Sequence, residues 1–255
     1  PAFPVDARVA SRILLEARSR GAGFADLYLE TRTVTRMNLA DGAVESVEQG
    51  IFAGGGVRAV DGDRTGYAYA DSFDESPLID AAKSAAAIAA SASGDLRPIS
   101  FSAQSPARSV RFVRPFDAVT QDERLAWVKR IDEAARAYDP AVQQVTIEYA
   151  DEMLRFAIAN SDGLWVEDSL PLTMVRINVI AIKDGRRGVG IERISHRLGA
   201  EQMDNDHPGE KAREAARMAV AMCDAVEAPG GEMPVILGAG GGVMFHEAVG
   251  HGLEG

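Results

Sequence analysis

This sequence predicts an α+β fold made of two similar units, each combining helices with an antiparallel sheet. Three observations carry that expectation. Alternation of apolar and polar residues, the mark of half-buried strands, fills two blocks at 25–72 and 142–198. Asp-Gly pairs punctuate both blocks, at Asp41-Gly42 and Asp61-Gly62 and again at Asp162-Gly163 and Asp184-Gly185. Such pairs favour tight hairpins because both residues tolerate positive φ. Stretches with apolar residues at helical spacing flank each block. The repetition of helix, strands and helix suggests an internal duplication with a period of about 120 residues.

The elements follow in order. Val5, Val9, Ile13, Leu14 and Ala17 give a helix over residues 5–20, with Gly21 and Gly23 as stops. Strands follow at Asp26–Thr31 and Arg64–Ala70, in an expected meander of about four over 25–72. Leu78, Ile79 and an Ala-rich run predict a second helix at 75–93. Pro98, Pro106 and Pro115 mark the next stretch, to residue 118, as a linker. Leu125, Trp127, Val128, Ile131 and Ala135 predict a helix at 121–138, and Ala212, Ala216, Ala219 and Met222 another at 208–226. Pro229-Gly230-Gly231 breaks that last helix. Met233–Leu237 then reads as a short buried strand, and Gly238-Ala239-Gly240-Gly241-Gly242 turns it into a further helix.

Composition narrows the functions. A hydrophobic share of 46% with 25% charged residues is that of a globular protein with a proper core. A net charge of -11 repels phosphate backbones, so nucleic acid is not an expected ligand. Cys223 is the one cysteine, which excludes an internal disulfide and fits a small buried residue in a reducing compartment. No apolar run approaches the length of a membrane span, and Asp6 and Arg8 interrupt any leader-like pattern. The expected compartment is the cytoplasm.

The chemistry concentrates at the end of the chain. The glycine run lacks the sixth-position glycine of a dinucleotide fingerprint, where Val243 stands, and the Gly-Lys of a Walker loop. A nucleotide site is therefore not expected. Two of the four histidines, His246 and His251, fall within six residues, with Glu247 directly after the first. A single His on a helix is more often structural, but this grouping points to metal ligation. Zinc takes neutral imidazoles and leaves a coordination position for water, and an adjacent carboxylate can move the proton. In the common His-Glu-x-x-His form the imidazoles share one helix face. A five-residue spacing instead separates them by about 140° and about 7.5 Å on a regular α-helix. The helix must therefore take a π-type turn between them, which Gly250 makes easier.

The motif His246-Glu247-Ala248-Val249-Gly250-His251, followed by Gly-Leu-Glu-Gly, resembles that of the TldD proteins in the TldD/PmbA (TldE) family, also called modulators of DNA gyrase. The likeness extends over the 255 residues, as about the first half of a family member. It implies one αβ unit at 1–95, a linker at 96–118, a second unit at 119–228, and the start of a catalytic C-terminal domain at 229–255. It further implies zinc, with His246 and His251 as ligands and Glu247 as catalytic acid/base. The third ligand, a cysteine in the family, is expected beyond residue 255, so the 255-residue form is expected to be inactive alone and to hold no zinc. The implied activity is hydrolysis of peptides or unfolded segments. The implied partner is a TldE/PmbA-type paralogue, or a second copy. The alternative from another class is a non-catalytic protein that modulates a partner such as DNA gyrase.

Overall fold

The computed structural model describes residues 3–90, 99–105 and 111–254. The first half runs α1 (Ala7–Ala17), β1 (Phe24–Ala40), β2 (Ala43–Asp61), β3 (Arg64–Ala70) and α2 (Glu75–Ile88). A short strand, β4 (Ser102–Gln104), follows within the proline-containing stretch, then a 3-10 turn at Phe116–Ala118. The second half runs α3 (Gln121–Arg136), β5 (Val142–Asn160), β6 (Leu164–Lys183), β7 (Arg186–His196) and α4 (His207–Cys223). The class is α+β, as expected. The meander of about four strands over 25–72 is corrected to three, because β1 and β2 run unbroken for 17 and 19 residues. The last residues of the expected second helix, 91–93, and the linker residues 94–98 and 106–110 lie outside the described residues.

Local chemistry explains the ends and turns. Asp6 caps α1 by accepting a hydrogen bond from the Val9 amide at 2.8 Å. Thr120 and Glu123 form a reciprocal capping box at the start of α3. Asp41 and Gly42 both have positive φ, 50° and 75°, and so do Asp184 and Gly185, at 53° and 75°. That is the type I′ geometry whose twist suits a two-residue hairpin.

The strands form one sheet in the order β3-β2-β1-β5-β6, and the far side of β6 pairs with β4 near its start and with β7 further on. The two meanders thus join edge to edge: β1 pairs antiparallel with β5 from Asp26↔Asn160 to Ala40↔Thr146. Pro171 lies in the stretch of β6 between its pairings with β4 and β7, where a missing N–H interrupts no ladder on that side.

Register decides which face is buried. Ala25, Leu27 and Leu29 of β1 pack with α1 and α2, whereas Met37 and Leu39 of the same strand pack with α3 and α4. All five are odd-numbered, so both helix pairs cover one face at opposite ends of the long strands. The odd residues Val145, Ile147, Tyr149, Ala157 and Ala159 of β5 repeat the division. None of the four helices covers the opposite, even face, made by even residues of β1, β2, β5 and β6 and by odd residues of β3 and β7, where Phe52, Tyr67, Tyr69 and Met174 are each at least half exposed.

Strand order is the same in both halves, as an internal duplication requires. One detail recurs as well. A Cβ on Gly66 of β3 would overlap the carbonyl oxygen of Ala85 in α2, and Cβ atoms on Gly188 and Gly190 of β7 would overlap those of Ala219 and Ala215 in α4. In each half the third strand is glycine where the closing alanine-rich helix touches it. Gly190→Ala is therefore expected to lower stability by about 1–3 kcal/mol, the usual range for overpacking a filled core. Urea denaturation measures it. A change within about 0.5 kcal/mol, typical of a surface site, would mean that β7 yields freely to α4.

One ion pair is buried in the second half. Arg124, 4% exposed, donates to both carboxylate oxygens of Asp151, which is 3% exposed. Its remaining donors reach the carbonyls of Val119 and Phe116, tying α3 to the preceding 3-10 turn. Tyr149 donates to the same carboxylate at 2.7 Å. Burial alone would lower the Arg124 pKa, but hydrogen bonding to Asp151 and its charge hold it above the ordinary value.

Candidate metal centre

Residues 225–254 belong to a second compact unit and are described by themselves. The expected strand at Met233–Leu237 is absent. Those residues carry no regular structure, and Val235 and Ile236 are 73% and 97% exposed. A strand needs a neighbour to pair with, and among the described residues none pairs with this segment. The glycine run does turn the chain, with Gly240 at φ 91° and the Gly241 amide bonded to the Gly238 carbonyl at 2.9 Å.

An α-turn at Gly242–Phe245 then leads into a π-helical turn at His246–Gly250, and an α-turn at His251–Leu253 completes it. The π turn falls where the five-residue spacing demanded it. Its extra residue brings the two imidazoles onto one side, with ring centroids 4.5 Å apart at an interplanar angle of 60°. A Cβ at position 250 would stand 3.0 Å from Nδ1 of His246, so glycine there leaves that ring its room.

His246, Glu247 and His251 offer ligand atoms within 4.8 Å of one another, and all three are exposed. Among the described residues they are the group of three or more His, Cys, Asp or Glu side chains so placed. The donor set suits a metal ion, since two imidazoles bound at about 2.0–2.1 Å each need only a small closure from this spacing. Glu247 Oε2 lies 3.8 Å from His251 Nε2, close to the ligand atoms.

Glu254 has a role that sequence reasoning did not assign. Its Oε2 lies 3.0 Å from Nδ1 of His251. With Nδ1–H donating to that carboxylate, Nε2 keeps its lone pair on the side of Glu247. Carboxylates often orient metal-binding histidines in this way. The signal was present as an i,i+3 acidic residue within Gly-Leu-Glu-Gly.

Cys223 belongs to the first unit, at the end of α4. It is buried, with its sulfur 3.5 Å from the carbonyl oxygens of Ala181 and Ala219. The other two histidines, His196 and His207, face each other in the first unit with ring centroids 5.8 Å apart. Among the described residues no helix is long and apolar enough to cross a membrane.

Comparison with known proteins agrees in two ways. Residues 25–91 match the family description PmbA/TldA metallopeptidase domain 1, and residues 114–222 match PmbA/TldA metallopeptidase central domain. The name implies a metal ion without specifying which. A Haemophilus influenzae protein named Metalloprotease TldD homolog is 35% identical over 243 residues, covering 92% of this chain and 50% of that one. A protein of the same name from Buchnera aphidicola (Schizaphis graminum) is 30% identical over 243 residues, 91% of this chain and 50% of its own. The chain spans about half the length of these curated relatives. Two solved structures share the fold at low identity. One, from Thermotoga maritima, is named for modulation of a DNA gyrase: TM-score 0.68, 20% identity, 88% of this chain and 50% of that one. The other is TldE from Thermococcus kodakarensis: TM-score 0.63, 13% identity, 82% and 46% covered. With matches to two successive domains of one family and relatives that align over about nine-tenths of this sequence, the chain belongs to the TldD/PmbA family, of which it represents the N-terminal part.

Proposed function

We propose that this chain forms the N-terminal part of a zinc-dependent peptidase of the TldD type, acting on peptides or unfolded protein segments. The observation that carries the reading is the π turn. It costs a regular helix its hydrogen-bond pattern, and what it achieves is the meeting of two imidazoles beside a carboxylate. A non-catalytic modulator has no use for that arrangement.

His246 and His251 would hold the ion, and Glu254 would keep His251 in the tautomer that presents Nε2. A catalytic zinc site normally has three protein ligands, so a further ligand from outside residues 1–255 is part of the proposal. Bound zinc would supply Lewis-acid polarisation of the scissile carbonyl and make the attacking water more acidic. Glu247 accepts the proton of that water and passes it to the leaving amine nitrogen. A TldE/PmbA-type paralogue, or a second copy of the chain, is the proposed partner.

Metal removal is the test. In the full-length protein, peptide cleavage is expected to stop on exhaustive chelation and to return with zinc. His251→Ala is expected to lower zinc content at least tenfold, read by elemental analysis after dialysis. Cleavage that survives thorough chelation would rule the reading out.

A further inference from the structure

On the even face of the sheet, within the first unit, lies a groove of about 430 Å³ that the proposed activity does not use. Cross-strand register places its residues. One row runs Arg36 (β1), Ala150 (β5), Met174 (β6) and Ser195 (β7). The next runs Asn38, Glu148, Arg176 and Arg193 on the same four strands. All eight line the groove.

The charges are unusual in two respects. Arg176 and Arg193 stand directly opposite each other across β6 and β7, a like-charge pairing that weakens a sheet. Arg176 has an ion-pair partner in Glu148, at 3.7 Å. Among the described residues Arg36 and Arg193 have no ion-pair partner; Glu48 stands opposite Arg36 without closing on it. The groove lining thus carries three arginines and one glutamate in a protein of net charge -11, with Ala150 and the half-exposed Met174 as an apolar floor.

Spacing narrows the ligand. Strands lie about 4.8 Å apart and a two-residue offset adds about 6.6 Å along them, so Arg36 on β1 stands about 12 Å from Arg176 on β6 and about 16 Å from Arg193 on β7. Carboxylates at positions i and i+4 of an extended peptide are about 13 Å apart, with the side chain at i+2 on the same side. We propose that this groove binds an extended acidic polypeptide segment of pattern Glu-x-Leu-x-Glu, its outer carboxylates at Arg36 and at Arg176/Arg193 and its central apolar side chain on Met174 and Ala150. A nucleic-acid strand fits worse, because it brings a phosphate at every nucleotide against the acidic remainder of the protein and offers nothing apolar to the floor. Binding here is read without turnover and with no metal added.

The experiment is fluorescence anisotropy on the full-length protein with a labelled peptide containing two Glu-Ser-Leu-Ser-Glu blocks. It is expected to bind with a dissociation constant below 1 mM at low salt and to weaken at least threefold between 50 and 300 mM salt, as ion pairs do at exposed sites. Replacing each Glu by Gln, or moving the four Glu together, should weaken it at least tenfold. R193E should do the same; because R193E creates an opposite-charge pair with Arg176, the fold is expected to survive, and circular dichroism confirms that. R36Q should weaken binding about threefold. The proposal is overturned by equal binding of the Glu and Gln peptides, by an unchanged affinity in folded R193E, by absence of binding at 1 mM, or by tighter binding of an oligothymidylate of equal charge.

Discussion

Glu247→Gln in the full-length protein is expected to lower peptide turnover by about 10²–10⁴-fold, the range over which a positioned proton carrier contributes, while zinc content stays unchanged. The amide keeps the shape of the side chain but cannot take up a proton at the working pH. Glu247 Oε2 lies 3.8 Å from His251 Nε2, so the carboxylate stands beside the imidazoles, and the zinc content of the variant separates a proton carrier from a ligand. Initial rates with a fluorogenic peptide and metal analysis on the same sample make the comparison. Near-normal rates would remove Glu247 from the chemistry. Loss of zinc along with activity would recast it as a ligand.

Asp151→Ala is expected to destabilise the 255-residue chain by about 3–5 kcal/mol, because it leaves the Arg124 guanidinium buried without its counter-ion. Arg124 still has the carbonyls of Val119 and Phe116, but these satisfy hydrogen bonds and not its charge. Tyr149 loses its acceptor at the same time. Replacing both ends, Arg124→Met with Asp151→Leu, should cost less than Asp151→Ala alone, because no buried charge remains. Urea titrations of the single and double variants decide it. A single-variant cost under about 1 kcal/mol would show that water reaches the pair, as it does at surface ion pairs.

How much of this was legible depended on range along the chain. The Asp-Gly hairpins were readable because positive φ is a property of those two residues. Helices α1, α3 and α4 were readable from a spacing that repeats within four residues. The number of strands in 25–72 was not, since β1 and β2 keep their alternation far beyond the usual strand length and offer no internal stop. The strand expected at Met233–Leu237 shows the opposite error. Its apolar run met the local pattern, but pairing requires a second strand that no local pattern can announce.

At the candidate metal centre the sequence by itself determined the helix distortion: imidazoles five residues apart can meet only across a π turn, and geometry alone dictates that. The duplicated order of elements was also set there. What only the tertiary structure decided was everything that joins distant residues. The two meanders fuse through β1 and β5, separated by some 120 positions, because that register puts Leu27, Leu29, Met37 and Leu39 on the same face as Val145 and Ile147. Arg124 finds Asp151 across 27 residues where α3 packs on β5, and Arg176 comes to face Arg193 through the register of β6 with β7. Turn and helix preferences are local energies of a few residues. Strand partnership is settled by the burial of one whole face, which exists only once the sheet has closed against its helices.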